Sequence, residues 1–295
     1  MKIGSDLIWQ IQGETLGSVI EQARQCQVHD RPTTRVSLVH AVNFFLRDGE
    51  LPVDQLETLR AIQRAQWPTN CDVRLLVLAD SADVEQLTTL VEPFASDITI
   101  ADAKFTGAMP LLTELLDTID VDVDSNEHVI FTNADICPVP GFYDAVASII
   151  GAGAEAAVIN RRSTFGFWPG DPDAALAAHA LGAAHPGFDC FVFSVDALTE
   201  LVPAQSTIGS PYVMLPLLLN LVAVSSPLVV LTDAHLTYHF GDDRSWSNDG
   251  RSAIAAANLA AAQHVVDDHE TSGTARIERF LTAFPNWDPS SIASS

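Results

Sequence analysis

Between residues 36 and 159 the chain alternates short, largely apolar runs with segments of helical period, and this pattern narrows the fold more than any other feature. The runs are Val36–Phe45, Asp72–Ala79, Ile98–Ile100, His128–Phe131 and Ala156–Ile159. They are rich in β-branched and aromatic residues, and polar positions do not alternate along them. Strands of that composition need cover on both faces. Asp54 opens a helix in which Leu56, Leu59 and Ile62 share one side, with Asp54 and Glu57 as a capping pair and Trp67-Pro68 as the stop. Val84, Leu87, Leu90, Val91 and Phe94 form a second apolar helical face. Residues 110–119 and the stretch from Pro140 read as two further helices. Parallel strands require crossovers of this kind. The expectation is an α/β fold with a mainly parallel sheet and helices on both faces.

The second half is less regular. A Gly/Pro/aromatic loop runs from Phe165 to Pro172, and His185-Pro186-Gly187 reads as a turn into a strand at Phe188–Phe193. The segment Tyr212–Leu231 is apolar enough to raise the question of a membrane span. Pro216, Asn220 and Ser225-Ser226-Pro227 interrupt it, whereas a span needs about 20 mostly apolar residues. It therefore reads as a buried helix followed by a buried strand at Leu228–Leu231. Leu236–Phe240 is a further strand, residues 250–284 are helical, and the tail after Pro285 reads as loose. His264 and His269 lie in an acidic helical stretch and read as solvated surface. No internal repeat appears. At 295 residues with 47% hydrophobic content, one continuous domain with a sizeable core is expected and global disorder is excluded.

Charge limits the partners. A formal net charge of −23 argues against a basic face for nucleic acid or anionic membrane. A phosphate-bearing small molecule stays open, since a divalent cation or a few placed arginines suffice to hold it. Cys26, Cys71, Cys137 and Cys190 are far apart and form no C-x-x-C, so buried thiols and a reducing, cytoplasmic location are the expectation. The N-terminus has no basic segment followed by an apolar run, which is the mark of a secretory signal.

Candidate chemistry gathers at predicted strand ends, where open α/β sheets bind ligands. Phe131-Thr132-Asn133-Ala134-Asp135 ends one strand with hard oxygen donors suited to Mg²⁺ or Mn²⁺ carrying a diphosphate. Asp80 ends another, as a ligand for a nucleoside or as the cap of the next turn. His239, before a Gly241-Asp242-Asp243 turn, can complete a metal site or serve the core. His235, four residues earlier, would share its face if both lay on one strand. Asp189 can contact an acceptor hydroxyl or act as a base. Arg161 and Arg162 can pair with phosphate or with surface acids. Phosphate loops, dinucleotide fingerprints, H-E-x-x-H and G-x-S-x-G are all missing from the sequence.

Together, from about Val36 to Trp246, these segments resemble the GT-A-fold nucleotide-diphospho-sugar glycosyltransferase superfamily. The strand Val36-Ser-Leu-Val-His-Ala-Val-Asn43, Ala79-Asp80-Ser81, Phe131–Ile136, His185–Phe193 and Tyr238-His239 carry the resemblance. It implies a lead-in over residues 1–35, a GT-A-like catalytic domain over 36–246 and a C-terminal helical segment over 247–295. It implies that the backbone at His40, Ala41 and Val42 holds the base and that Asp80 binds uridine or ribose. Asn133 would face ribose, Asp135 and His239 would hold Mn²⁺ or Mg²⁺, Arg161 would meet the nucleotide phosphates and Asp189 would be the catalytic candidate. The implied reaction moves a sugar from a nucleoside diphosphate sugar to a glycan or small-molecule hydroxyl. Two departures stand out. The metal motif is Asn-x-Asp, one carboxylate short of Asp-x-Asp, and Ile208–Met214 is apolar where many relatives place an acid near the acceptor. A non-catalytic relative that binds nucleotide or glycan is the alternative these departures suggest. A nucleotidyltransferase would need a Gly-rich basic loop after the first strand, and Asn43–Gly49 has one Gly and one Arg.

Overall fold

The apolar runs become strands and their lack of alternation is explained by the layers around them. In the computed structural model the described residues are 2–3, 8–12, 18, 21, 35–65, 71–94, 97–107, 109–119, 127–164, 173–240 and 252–293. Among them the chain order is β1 (Lys2–Ile3), β2 (Ile8–Gln12), β3 (Val36–Asn43), α1 (Val53–Ala65), β4 (Cys71–Ala79), α2 (Val84–Val91) and β5 (Ile98–Asp102). Then come α3 (Leu112–Asp117), β6 (Glu127–Thr132), β7 (Cys137–Pro138), α4 (Phe142–Gly151), β8 (Ala156–Thr164), α5 (Ala174–Leu181) and β9 (Ala183–Ser194). The rest is α6 (Val195–Thr199), α7 (Leu215–Val224), β10 (Leu228–Asp233), β11 (Thr237–Phe240), α8 (Ser252–Asp268), α9 (Thr271–Ala283) and α10 (Pro289–Ala293).

The strands form one mixed, mostly parallel sheet in the order β1-β2-β10-β8-β9-β6-β3-β4-β5, with β11 beside β8 and β7 beside β11. β3 pairs in parallel with both β4 and β6. β9 is antiparallel to both β6 and β8, which leaves β6 and β8 pointing the same way. Alternate residues feed opposite layers. Val39, Ala41, Val129, Phe131, Val158 and Phe191 meet α3, α7, α8 and α9 on one face. Leu38, Ile130, Ala157 and Val192 meet α4 on the other, and Val42, Leu75 and Val77 meet α1 and α2. Burying strands on both faces supplies most of the driving force for such a sheet.

Some expectations are corrected and others hold. Asp54 bonds the Gln55 amide but forms no capping pair with Glu57, whose fully buried carboxylate instead faces Arg64. β9 begins at Ala183, so His185–Gly187 is strand rather than turn, with register shifts where it passes Asn160. β8 continues to Thr164 and thus contains Arg161 and Arg162. The tail beyond Pro285 is helical at α10. His269 is no solvated surface group: its Nε2 lies 2.8 Å from Asn220 Oδ1. Tyr212–Leu231 is a buried helix and strand, and no described helix is long and apolar enough to cross a membrane. Cys71, Cys137 and Cys190 are buried thiols. The lead-in contributes β1 and β2, with β2 parallel to β10. The helices after residue 247 pack Leu259, Val265, Ile277 and Phe280 into the main core. Trp67-Pro68, the Phe165–Pro172 loop, the Gly241–Asp243 turn, Trp246 and Cys26 lie outside the described residues.

Candidate functional site

The chain runs from β3 to β4 and β5 on one side, then crosses to β6 on the other side of β3. A reversal of this kind opens a crevice beyond the carboxyl ends of the strands. Phe45 follows β3, Asp80 and Ser81 follow β4, Asp102 ends β5, and Asn133 and Asp135 follow β6. His239 arrives from β11, and Asp189 and Arg161 from β9 and β8.

The centre of this group is a histidine–carboxylate contact. His239 Nε2 lies 3.1 Å from Asp135 Oδ2, with Asp135 partly exposed and His239 largely buried. Burial by itself would raise the Asp135 carboxyl. The His239 hydrogen bond and charge, with Arg161 nearby, outweigh it and hold the group below the ordinary carboxylate value. Beside it, Arg161 Nη1 lies 3.1 Å from Asp189 Oδ2, and Asn133 Nδ2 donates to Asp189 Oδ1 at 3.3 Å. His185 Nδ1 sits 3.7 Å from the same carboxylate.

Asp135 and His239 suit a divalent ion. Two donors bound side by side on one octahedral ion at about 2.0–2.1 Å lie about 3 Å apart, close to the separation seen here. No group of three or more candidate ligand side chains occurs among the described residues. The protein would thus supply two ligands and leave the other positions to water and phosphate oxygens, the usual arrangement for Mg²⁺ in phosphate sites.

Other expected residues are placed differently. His40, Ala41 and Val42 lie in mid-strand, paired to β4 on one side and β6 on the other. Their backbone is committed to the sheet on both flanks. The His40 ring is wholly buried between Tyr143 Oη at 2.8 Å and Thr132 Oγ1 at 3.0 Å, and burial pushes its pKa down to about 3. Arg161 faces Asp189 rather than open space. Asp189, the catalytic candidate, has the Arg161 guanidinium against one oxygen and the Asn133 amide on the other. Asp80 stands at the carboxyl end of β4 and accepts the Ala82 amide within a turn, while Asp83 holds the N-cap position of α2. His235 precedes β11 and pairs with Asp233 at 3.1 Å, so it does not share a strand with His239. Arg162 also joins Asp233, at 2.5 Å.

Two features escaped the sequence. Phe45, 41% exposed, is an aromatic ring at the carboxyl end of the central strand. Its amide donates to Gln55 Oε1 at 3.1 Å and the next amide to Asp83 Oδ2 at 3.0 Å, ahead of a tight Asp48-Gly49 turn at positive φ. Asp102 is the second, bonded by Ser81 Oγ at 2.5 Å. An exposed aromatic immediately after a buried strand was the available signal for Phe45. A separate cavity of about 210 Å³ is lined by Leu112, Leu116, Leu198, Leu201 and Leu217. Its lining also includes Asp117 and Asn220 but no basic residue, so it lacks the positive charge that a diphosphate needs.

No family model matches the chain, and no curated protein is similar to it in sequence. Its fold is similar to that of the mannosyltransferase PcManGT from Pyrobaculum calidifontis, solved with GDP-Man and Mn²⁺. That likeness has 13% identity and a TM-score of 0.50, and covers 94% of this chain and 81% of the other. A mycobacterial protein matches at 13% identity over 83% of this chain and 78% of its own, with a TM-score of 0.48. Mouse xyloside xylosyltransferase 1, in its apo form, matches at 12% identity over 56% and 69%, with a TM-score of 0.34. The latter two likenesses bear no weight. The first establishes the fold: a curled, mostly parallel sheet with helices, of the GT-A-like kind.

Proposed function

We propose that the chain is a metal-dependent glycosyltransferase that moves a sugar from a nucleoside diphosphate sugar to a hydroxyl of a glycan or small-molecule acceptor. The observation that carries this reading is the Asp135–His239 pair, 3.1 Å apart at the carboxyl edge of a GT-A-like sheet. The mannosyltransferase of similar fold was solved with a nucleotide sugar and Mn²⁺, which supports the same ligand class here.

Asp135 and His239 would hold Mn²⁺ or Mg²⁺. A bound divalent ion supplies the charge that stabilises a departing diphosphate. The Phe45 ring, on a backbone whose amide Gln55 holds, offers an apolar face on which a nucleobase would stack. Asp80 and Asp102 present acceptors for ribose hydroxyls beside it. Arg161 and Asn133 orient the Asp189 carboxylate next to the diphosphate position. Arg161 also adds positive charge close to Asp135.

The test is a thermal-shift panel of nucleoside diphosphates and their sugars, with and without Mn²⁺. A ligand that binds only the folded chain raises Tm. A Mn²⁺-dependent rise with one nucleotide class is expected, and no rise with any nucleotide overturns the reading. A non-catalytic binder is the second reading. It is favoured by the engagement of both Asp189 oxygens and by the apolar 208–214 segment. Donor consumption separates the two, since a binder shows the shift without turnover.

A further inference from the structure

Helix α1 has an unusual inner face. Gln55, Glu57 and Thr58 are fully or almost fully buried, although each has a polar side chain that ordinarily stays near water. A buried carboxylate costs several kcal/mol unless it is paired and hydrogen-bonded. Glu57 meets Arg64 Nη2 at 2.5 Å and Arg60 Nη1 at 3.7 Å. Burial opposes the Arg64 charge, but Glu57 and Tyr238 outweigh it and keep the guanidinium above its ordinary pKa.

Three side chains of α1, Gln55, Thr58 and Arg64, each grip a different strand or loop one step away from the candidate site. Gln55 Oε1 accepts the Phe45 amide at 3.1 Å. Thr58 Oγ1 lies 3.5 Å from Cys137 Sγ on β7, two residues after Asp135. Arg64 Nη2 donates to Tyr238 Oη at 3.3 Å, one residue before His239. β7 and β11 pair directly, Cys137 opposite Tyr238, so their side chains share the face toward α1. Alternation along β11 then turns His239 the other way, toward Asp135. Hydrophobic packing resists separation of layers but resists sliding weakly. Backbone pairing with β7 and β8, and the Thr164 hydroxyl on the His239 carbonyl, hold the β11 main chain, and the directional Arg64–Tyr238 bond adds a fixed contact from the layer behind.

We propose that α1 is the positioning element of the site, with Gln55 fixing the Phe45 platform and the Glu57–Arg64–Tyr238 chain fixing His239 against Asp135. This rests on the donor-site reading above for its functional meaning. The side chains of α1 are positioning residues: they act through Phe45 and His239 and touch no ligand.

The experiment uses three full-length variants. Tyr238→Phe removes only the hydroxyl that Arg64 holds. Gln55→Met keeps length and removes the acceptor. Ile62→Val trims a buried α1 residue whose contacts lie in the apolar cluster. Each is crystallised, and Tm, Mn²⁺ affinity and affinity for a metal-free nucleoside are measured. Tyr238→Phe is expected to open His239 Nε2–Asp135 Oδ2 beyond about 3.5 Å, outside hydrogen-bond range. It should weaken Mn²⁺ binding about tenfold, as loss of an outer support does, while nucleoside affinity holds. Gln55→Met should do the reverse, weakening the nucleoside about fivefold, the order of the cost of ordering one loosened side chain on binding, while Mn²⁺ affinity holds. Ile62→Val should lower Tm and leave both affinities unchanged. A Tyr238→Phe structure that keeps the contact at its present length, with affinities like those of Ile62→Val, overturns the proposal. If the wild type binds neither Mn²⁺ nor nucleoside, the donor reading fails separately. The His239–Asp135 separation in Tyr238→Phe then decides the positioning claim alone: a lost contact supports it and a kept contact ends it.

Discussion

His40 and His239 sit in opposite surroundings within one sheet. His40 is wholly buried on β3, flanked by two neutral hydroxyls, and is held uncharged down to about pH 3. His239 sits on β11 at the carboxyl edge, with the Asp135 carboxylate as partner and Arg161 close to that carboxylate. The first cluster satisfies its hydrogen bonds with neutral groups and closes on itself. The second gathers charge beside solvent, where a cation or a phosphate can join it. Burial alone does not separate them, since both rings are largely covered. What differs is the charge of the partners and the place on the strand, mid-sheet against carboxyl end.

The comparison predicts opposite failures. The largest effect is on stability. His40→Ala leaves the Tyr143 and Thr132 hydroxyls without their buried partner and opens a void, so a loss of about 3–4 kcal/mol is expected in urea unfolding. Donor affinity of the folded fraction should change less than threefold; a selective loss of affinity with stability intact would place His40 in the binding machinery after all. Asp135→Ala should act the other way. A loss of about 100-fold in Mn²⁺-dependent nucleotide affinity, about 2.7 kcal/mol, is expected by calorimetry with Tm nearly unchanged. His239→Ala should weaken Mn²⁺ about tenfold, or about 1.4 kcal/mol, because the carboxylate remains. A collapse in Tm instead would make His239 a second core histidine.

The smallest effect per step is on pH dependence. The His40 pKa is lowered in the folded chain to about 3 from an ordinary value of 6.5. Below pH 6.5 the unfolded chain takes up a proton at this position and the folded chain does not. Stability therefore falls as pH drops from 6.5 toward 3, by up to about 1.4 kcal/mol per unit from this group. Urea unfolding at stepped pH should show a shallower slope in His40→Asn. An unchanged slope would mean that other groups carry the acid sensitivity.

The sheet was legible because its strands are covered on both faces and so read as unbroken apolar runs. Asp135 and His239 were legible as a strand-end acid and a late histidine, although only folding brings them together. The placing of His40, Ala41 and Val42 was not legible for a physical reason: an apolar run does not show where its strand ends, and β3 runs on to Asn43 with a paired strand on each side. Asp189 and Arg161 were each visible, but their mutual pairing was not, because they lie 28 residues apart in sequence, on two different strands. The support from α1 was beyond reach. Arg64 and Tyr238 lie 174 residues apart, and Glu57 has the spacing of a helix cap. Phe45 was passed over because a strand that ends in aromatic residues resembles a strand that simply continues.

The most direct test of the donor site is anomalous diffraction at the manganese edge from crystals soaked with Mn²⁺ and a nucleoside diphosphate. One peak within coordination distance of both Asp135 Oδ2 and His239 Nε2, with the diphosphate on its open side, is the predicted result. A peak elsewhere, or an undisturbed Asp135–His239 contact with no peak, would contradict the account.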